Sequence, residues 1–394
     1  MGATYYNSNS NLNTNLIFIL NSHIPHVLQQ GEVFNEQENW IFEAITETYI
    51  PLLDILSDLD NANTNGKQVI LSFTPCTIQQ MLEGRERYFK YLEKLRNIAF
   101  AEVERTSKLE LYNKYQKYKQ NLNEEELKNL NKTARFYLER IERGIQFYER
   151  NNILEVIKGL KNVRLWTSCP NHTFLPMCNE KSREYFIKRG IEEFEKNFDR
   201  EPEGFWLPEC GFYPGIEKIL VSYGIKFTNL YINAIGLYTG GEKSGIYEHE
   251  SLKMLVSDFK TTKCLWNAAK NTIPSNAVYR EFFRDLGFDV TEEYLTKLDI
   301  PISDKRKKVG VWTGLKYHAI SGNEIELGNK AIYDIDMARN RIKEDVKIFF
   351  NFLNNNRMLV NDAETFVMPF DTEIFGHWWL EGTQWLKEIL SYES

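Results

Sequence analysis

The chain has 394 residues, 42% of them apolar and 26% charged, which excludes wholesale disorder and allows one sizeable core, either a single decorated barrel or two domains. A net charge of −7 offers no pull toward phosphate backbones or anionic lipid, so nucleic acid and membrane are disfavoured as partners and a neutral ligand fits better. The five cysteines (Cys76, Cys169, Cys178, Cys210, Cys264) form no CxxC pair, and residues 1–14 lack the basic start and apolar stretch of a secretory leader; together these predict a flexible N-terminus on a cytoplasmic protein in a reducing compartment.

Leu16–Leu20 is a short, wholly apolar run that ends on Asn21, Ser22 and His23, the pattern of a strand buried on both faces. From Trp40 to Leu56 apolar residues recur at helical spacing, with Pro51 as a kink or break. Val69–Phe73 reads as a second buried strand, and strand, helix, strand suggests a parallel unit. The stretch from about 78 to 160 is charged, amphipathic and free of proline, and predicts a helical insertion with a solvated outer face. Strand and helix then alternate again: Val163–Thr167, Gly204–Leu207, Ile225–Thr228, Lys308–Trp312 and Thr365–Met368 are strand candidates, with helices over 182–198 and 216–223. Asn233–Phe259 is rich in glycine and too long for an ordinary connection, so it reads as an active-site loop or lid.

Polar clusters follow these strands directly: Asn21-Ser22-His23, Asn171-His172, Pro208-Glu209-Cys210 and Asp371-Thr372-Glu373. In a parallel barrel all strand C-termini open on one face, where such residues meet. Two carboxylates from different strand ends suit retaining glycosyl transfer, one as nucleophile and one as acid/base, at the separation of about 5 Å that retention requires. Glu209 and Asp371 sit within apolar, aromatic runs, Gly204–Gly211 and Met368–Trp379, where an unused carboxylate is costly. The chain is 14% aromatic, and Trp and Tyr offer flat faces to sugar rings, although most aromatics are core residues. The six histidines form no HxxxH or tight triplet, so no metal is expected at the centre, and without GxGxxG or a phosphate loop no cofactor is expected either.

Four ordered stretches carry a resemblance: His23-Ile24-Pro25, Trp166 through Pro176, Trp206-Leu207-Pro208-Glu209-Cys210-Gly211, and Phe370-Asp371-Thr372-Glu373-Ile374-Phe375-Gly376-His377-Trp378-Trp379. They resemble the motifs of glycoside hydrolase family 57, and stretches 40–49, 279–285 and 316–318 look most like its 1,4-α-glucan branching enzymes. The resemblance implies an α/β fold, an incomplete (β/α)7 barrel with a helical insertion over residues 15–390, acting on glycogen- or starch-like α-glucan without a cofactor. On the matching positions Glu209 is the implied nucleophile and Asp371 the acid/base. Substrate contacts are implied for His23, His172, Trp206, Trp266, His377 and Trp378, and Tyr247 matches a loop tyrosine that shields the glycosyl intermediate from water. Asn21 stands where a histidine is usual and Val33 where a tryptophan is. Branching enzymes of this kind continue beyond the position of Ser394 into a helical domain that adds tryptophans. Branching is the implied activity; α-amylase or 4-α-glucanotransferase activity, or glucan binding with little turnover, are the alternatives.

Overall fold

The computed structural model describes residues 4–5, 15–29, 36–59, 66–118, 121–239, 244–257, 259–266, 272–300, 302, 311–322, 324–359 and 365–392. Val33 and most of the candidate strand Lys308–Trp312 lie outside them.

Among the described residues, nine strands form one sheet: β1 (Thr4–Tyr5), β2 (Asn15–Ser22), β3 (Lys67–Phe73), β4 (Val163–Ser168), β5 (Gly204–Trp206), β6 (Phe227–Tyr231), β7 (Gly245–His249), β8 (Leu252–Ser257) and β9 (Thr365–Asp371). Their order is β1-β7-β8-β6-β5-β4-β3-β2-β9. From β8 through β9 every ladder is parallel, which makes seven barrel strands, while β7 and β1 extend the β8 edge antiparallel. The chain thus forms an α/β barrel of the (β/α)7 type, incomplete because β8 and β9 approach each other without a ladder.

Side chains alternate across each strand, and that alternation divides the core. Ile17 and Ile19 of β2 point into the barrel with Ile70, Trp166, Trp206, Leu255 and Val367, whereas Leu16, Phe18 and Leu20 face the helical layer. Both faces are dry, which explains why β2 reads as an unbroken apolar run. The same parity carries Asn21 and Asp371, paired in register at the ends of β2 and β9, to the inner side of the barrel mouth.

Between β3 and β4 the described residues form five helices, of which Arg85–Arg105 and Glu124–Arg150 are the longest and pack together. The second starts on a reciprocal cap: Asn123 Oδ1 accepts from the Glu126 N–H, and Glu126 Oε2 accepts from the Asn123 N–H, each at 2.9 Å.

Two expectations change. The helix over 40–56 is continuous, but it widens into a π-helical stretch at Ile45–Tyr49 immediately ahead of Pro51. Proline has no N–H to donate and crowds the preceding turn, and the wider turn absorbs the defect instead of ending the helix. The expected loop 233–259 holds a helix (Ile232–Thr239), β7 and β8. Leu252–Ser257 supplies a barrel strand within that stretch, and of the strand candidate Lys308–Trp312 the described residues Val311 and Trp312 are not in a strand.

Candidate active site

Glu209 follows β5 on a tight 3-10 turn, Pro208–Cys210, in which Glu209 and Cys210 adopt left-handed φ values of 55° and 51°. His172, after β4, has φ 55° as well. Side chains of this size occupy that region at a cost of about 1–3 kcal/mol, and such strain clusters where a side chain must be aimed. The turn is anchored by buried Asn229 of β6, whose Oδ1 accepts from the Leu207 N–H (2.9 Å) and whose Nδ2 donates to Cys210 Sγ (3.0 Å). The Glu209 carboxylate is thereby lifted off the barrel wall, with its side chain 75% exposed.

His172 Nε2 lies 3.4 Å from Glu209 Oε1, and the His172 ring stacks on His23 with centroids 4.5 Å apart. His23 in turn shares a 3.0 Å hydrogen bond with Thr74 Oγ1. Burial, and then the neighbouring His172, pull the His23 pKa down to about 4; burial also lowers that of His172, against the opposing pull of Glu209. Both rings are therefore neutral near pH 7 and suited to hydrogen-bonding hydroxyl groups.

Asp371, the last residue of β9, faces this group from across the mouth. Its pKa is raised to about 6, first by burial and second by the charge of Glu209. The two carboxylates thus differ in setting, one solvated and one largely desolvated, the difference that separates a nucleophile from an acid. Tyr231, at the end of β6, lies close enough to Cys210, Asp371 and Glu209 for all three to push its hydroxyl pKa up, after burial as the main cause. Asn21 Nδ2 and Oδ1, Ser72 Oγ, Trp206 Nε1 and His172 Nδ1 are buried without hydrogen-bond partners. Such groups are costly unless a polar ligand or water meets them.

The remaining candidates separate. Trp206 lies on the barrel's inner face beneath the mouth. Trp266 and Trp378 line, with Phe282, Phe283 and Lys330, a cleft of about 510 Å³; the Trp266 ring is 5.9 Å from Phe370, the residue before Asp371. His377 belongs elsewhere: buried, its Nδ1 lies 2.7 Å from Glu47 Oε2 and 3.7 Å from Glu43 Oε2, and Phe282 meets its ring edge-on. Burial would raise Glu47, but the His377 hydrogen bond and the Lys316 charge outweigh it and hold its pKa at about 2. Tyr247 is also displaced from its expected role. It is a residue of β7, 3% exposed and packed in the outer core with Leu252 and Met254, so it is not on a loop over the cleft.

Among the described residues, two groups have metal-ligand spacing, Glu43–Glu47–His377 and Glu217–His249–Glu250. The ammonium of Lys316 and the guanidinium of Arg280 already balance the charge of the first. No described helix is long and apolar enough to cross a membrane.

Residues 17–234 match the family model of glycosyl hydrolase family 57, more than half of the chain. The chain belongs to that family. It is 28% identical to the 1,4-alpha-glucan branching enzyme of Thermococcus kodakarensis over 95% of its own length and 55% of that enzyme's, so it spans about half of that relative. Among solved structures, the alpha-amylase AmyC of Thermotoga maritima superposes with a TM-score of 0.82 at 28% identity, over 96% of this chain and 71% of that one. The branching enzyme of Pyrococcus horikoshii superposes at 0.73 with 25% identity, over 96% and 67%.

Sequence reasoning overlooked Tyr231 and Asn229. The strand candidate ends at Thr228, whereas β6 runs on to Tyr231, and strand parity past Thr228 places both at the barrel mouth.

Proposed function

We propose that this chain is a retaining α-glucan-active enzyme and that its reaction is 1,4-α-glucan branching. The observation that carries the reading is the pairing, across one barrel mouth, of a solvated Glu209 with a desolvated Asp371 whose pKa is raised to about 6. In this reading Asp371 gives its proton to the glycosidic oxygen as Glu209 attacks the anomeric carbon, releasing the leaving chain and forming a glycosyl-enzyme ester. Asp371, now ionised, takes the proton of an acceptor hydroxyl, which attacks the same carbon and frees Glu209. Neutral His23 and His172 hold sugar hydroxyls beside Glu209, Trp266 and Trp378 offer apolar faces to the rings, and buried Trp206 supports the mouth from below.

Incubation with amylose followed by enzymatic debranching tests the assignment: branching yields new short chains, and Glu209→Gln abolishes them, with turnover falling on the order of 10⁴-fold. A second reading, hydrolysis or 4-α-transfer, is favoured by two observations. Tyr247 is in the core and so does not shield the intermediate, and the structural likeness to an amylase is close. Linear products with rising reducing ends would establish hydrolysis in place of branching.

A further inference from the structure

Two rings on the Glu209 side of the mouth stand in solvent: Phe174 is 41% exposed and Tyr213 is 44% exposed. Each follows a residue of the candidate site closely. Phe174 is two residues beyond His172, and Tyr213 is four beyond Glu209. They are held in place. The Phe174 ring lies so close over Gly211 that a Cβ at 211 would collide with it, which explains the glycine after Glu209-Cys210. Tyr213 is braced from one face by the Arg183 guanidinium, 4.0 Å from the ring centroid, and Arg183 Nε donates to the Leu175 carbonyl at 3.0 Å. Leu175 adjoins Phe174, so both rings and their brace form one unit built on the two loops that carry His172 and Glu209.

We propose that Phe174 and Tyr213 form an aromatic platform that stacks on glucosyl units of an α-glucan chain beyond the unit held at Glu209. The inference rests on the α-glucan reading above and extends it to substrate length. Each ring packs one side on the protein and leaves its other face to water, and a flat apolar face fits the C–H face of a sugar. Because the seat on Gly211 and the Arg183 brace fix the rings before ligand arrives, little side-chain entropy remains to be lost on binding. A neutral polysaccharide suits a surface whose cation is already engaged. Continuity with His172 and Glu209 favours a chain that also enters the barrel mouth over an unrelated protein partner.

The test compares maltotriose with maltoheptaose on the full chain carrying Tyr213→Leu or Phe174→Leu, which keep apolar bulk and remove the flat face. Each is expected to raise KM for maltoheptaose about three- to tenfold, with a smaller rise for maltotriose and little change in kcat, as loss of one stacking contact implies. Tyr213→Phe should retain the parental values. Parental KM for maltoheptaose in both leucine variants, or equal increases for both lengths, overturns the platform. Should Phe174→Leu fail to fold because of its seat on Gly211, exposed Tyr213 decides alone. If the parent turns over neither sugar, calorimetric binding of maltoheptaose reads the platform instead: weaker binding in Tyr213→Leu supports it, and no binding to the parent rejects it, while the glycosyl-transfer reading fails separately only if amylose is not turned over either.

Discussion

Replacing Asp371 by Asn should stabilise the protein while removing its activity. The folded state raises the Asp371 pKa from 3.8 to about 6, through burial first and the Glu209 charge second. A group raised in this way contributes stability that is fully present below pH 3.8 and is lost as pH climbs through about 6. At about 1.36 kcal/mol per pH unit, the ionised side chain costs the native state about 2–3 kcal/mol at pH 7.5. Asparagine has nearly the same shape and no charge to desolvate. With an unfolding entropy of roughly 0.8 kcal/mol/K for a chain of this size, the gain corresponds to a Tm increase of about 3 °C. Calorimetric scans of parent and variant at pH 7.5 and pH 4 provide the measurement, alongside turnover on amylose. The gain should be present at pH 7.5, absent at pH 4, and accompanied by loss of turnover. A Tm difference that is independent of pH, or a variant less stable at pH 7.5, would show that Asp371 is not the desolvated acid described above.

Gly376→Ala should cost about 3 kcal/mol or more, because φ is 127° there and a Cβ would run into the Glu47 carbonyl; urea unfolding checks it, and a loss under 1 kcal/mol would contradict the packing. Tyr231→Phe removes a hydroxyl that is electrostatically coupled to both carboxylates, and kcat/KM is expected to fall about tenfold; an unchanged value would take Tyr231 out of the site. His23 has a folded pKa of about 4, below its ordinary 6.5, so the stability it contributes is full above pH 6.5 and is lost as pH falls toward 4. His23→Gln should therefore gain about 2 kcal/mol on the parent between pH 7 and pH 4.5 in matched urea titrations, and parallel curves would refute the shift.

The barrel was legible wherever a strand is dry on both faces, because β2, β9 and the Val69–Phe73 part of β3 then appear as largely apolar runs. It was illegible at β8. Lys253 interrupts its apolar residues near the start, and the preceding glycine-rich stretch has loop composition, yet β8 supplies a parallel barrel strand through its pairing with β6, a contact set by tertiary structure and not by local propensity. The site followed the same division. Glu209, His172, His23 and Asp371 were legible because each lies at or shortly after a strand end and within a motif. Tyr247 was misplaced because a tyrosine beside glycines reads as loop, whereas the β7–β8 hairpin turns it into the outer core. His377 has the residue type of a ligand contact, but only the packing of the helix over 36–59 against the turn after β9 reveals the two glutamates that hold it.

That packing returns to the π-helical stretch ahead of Pro51. Its wider turn directs three consecutive side chains at the segment following Asp371: Glu47 pairs with the His377 ring, Thr48 Oγ1 accepts from the His377 N–H at 3.0 Å, and Tyr49 donates to Glu373. Consecutive helical residues diverge by about 100° each, so the three side chains reach three separate points of that segment, the His377 ring, the His377 N–H and the Glu373 carboxylate. Gly376 completes the fit by letting the backbone pass against the Glu47 carbonyl. On the other side Ser22 Oγ donates to Thr372 Oγ1 at 2.8 Å, tying the same segment to the end of β2. Asp371 is thus fixed between two anchored stretches, with its pairing to Asn21 on one side and the buried Glu373–Tyr49 bond just beyond it. A proline that breaks helical regularity therefore contributes to function through geometry: it is accompanied by the π turn that grips the segment carrying the proposed acid.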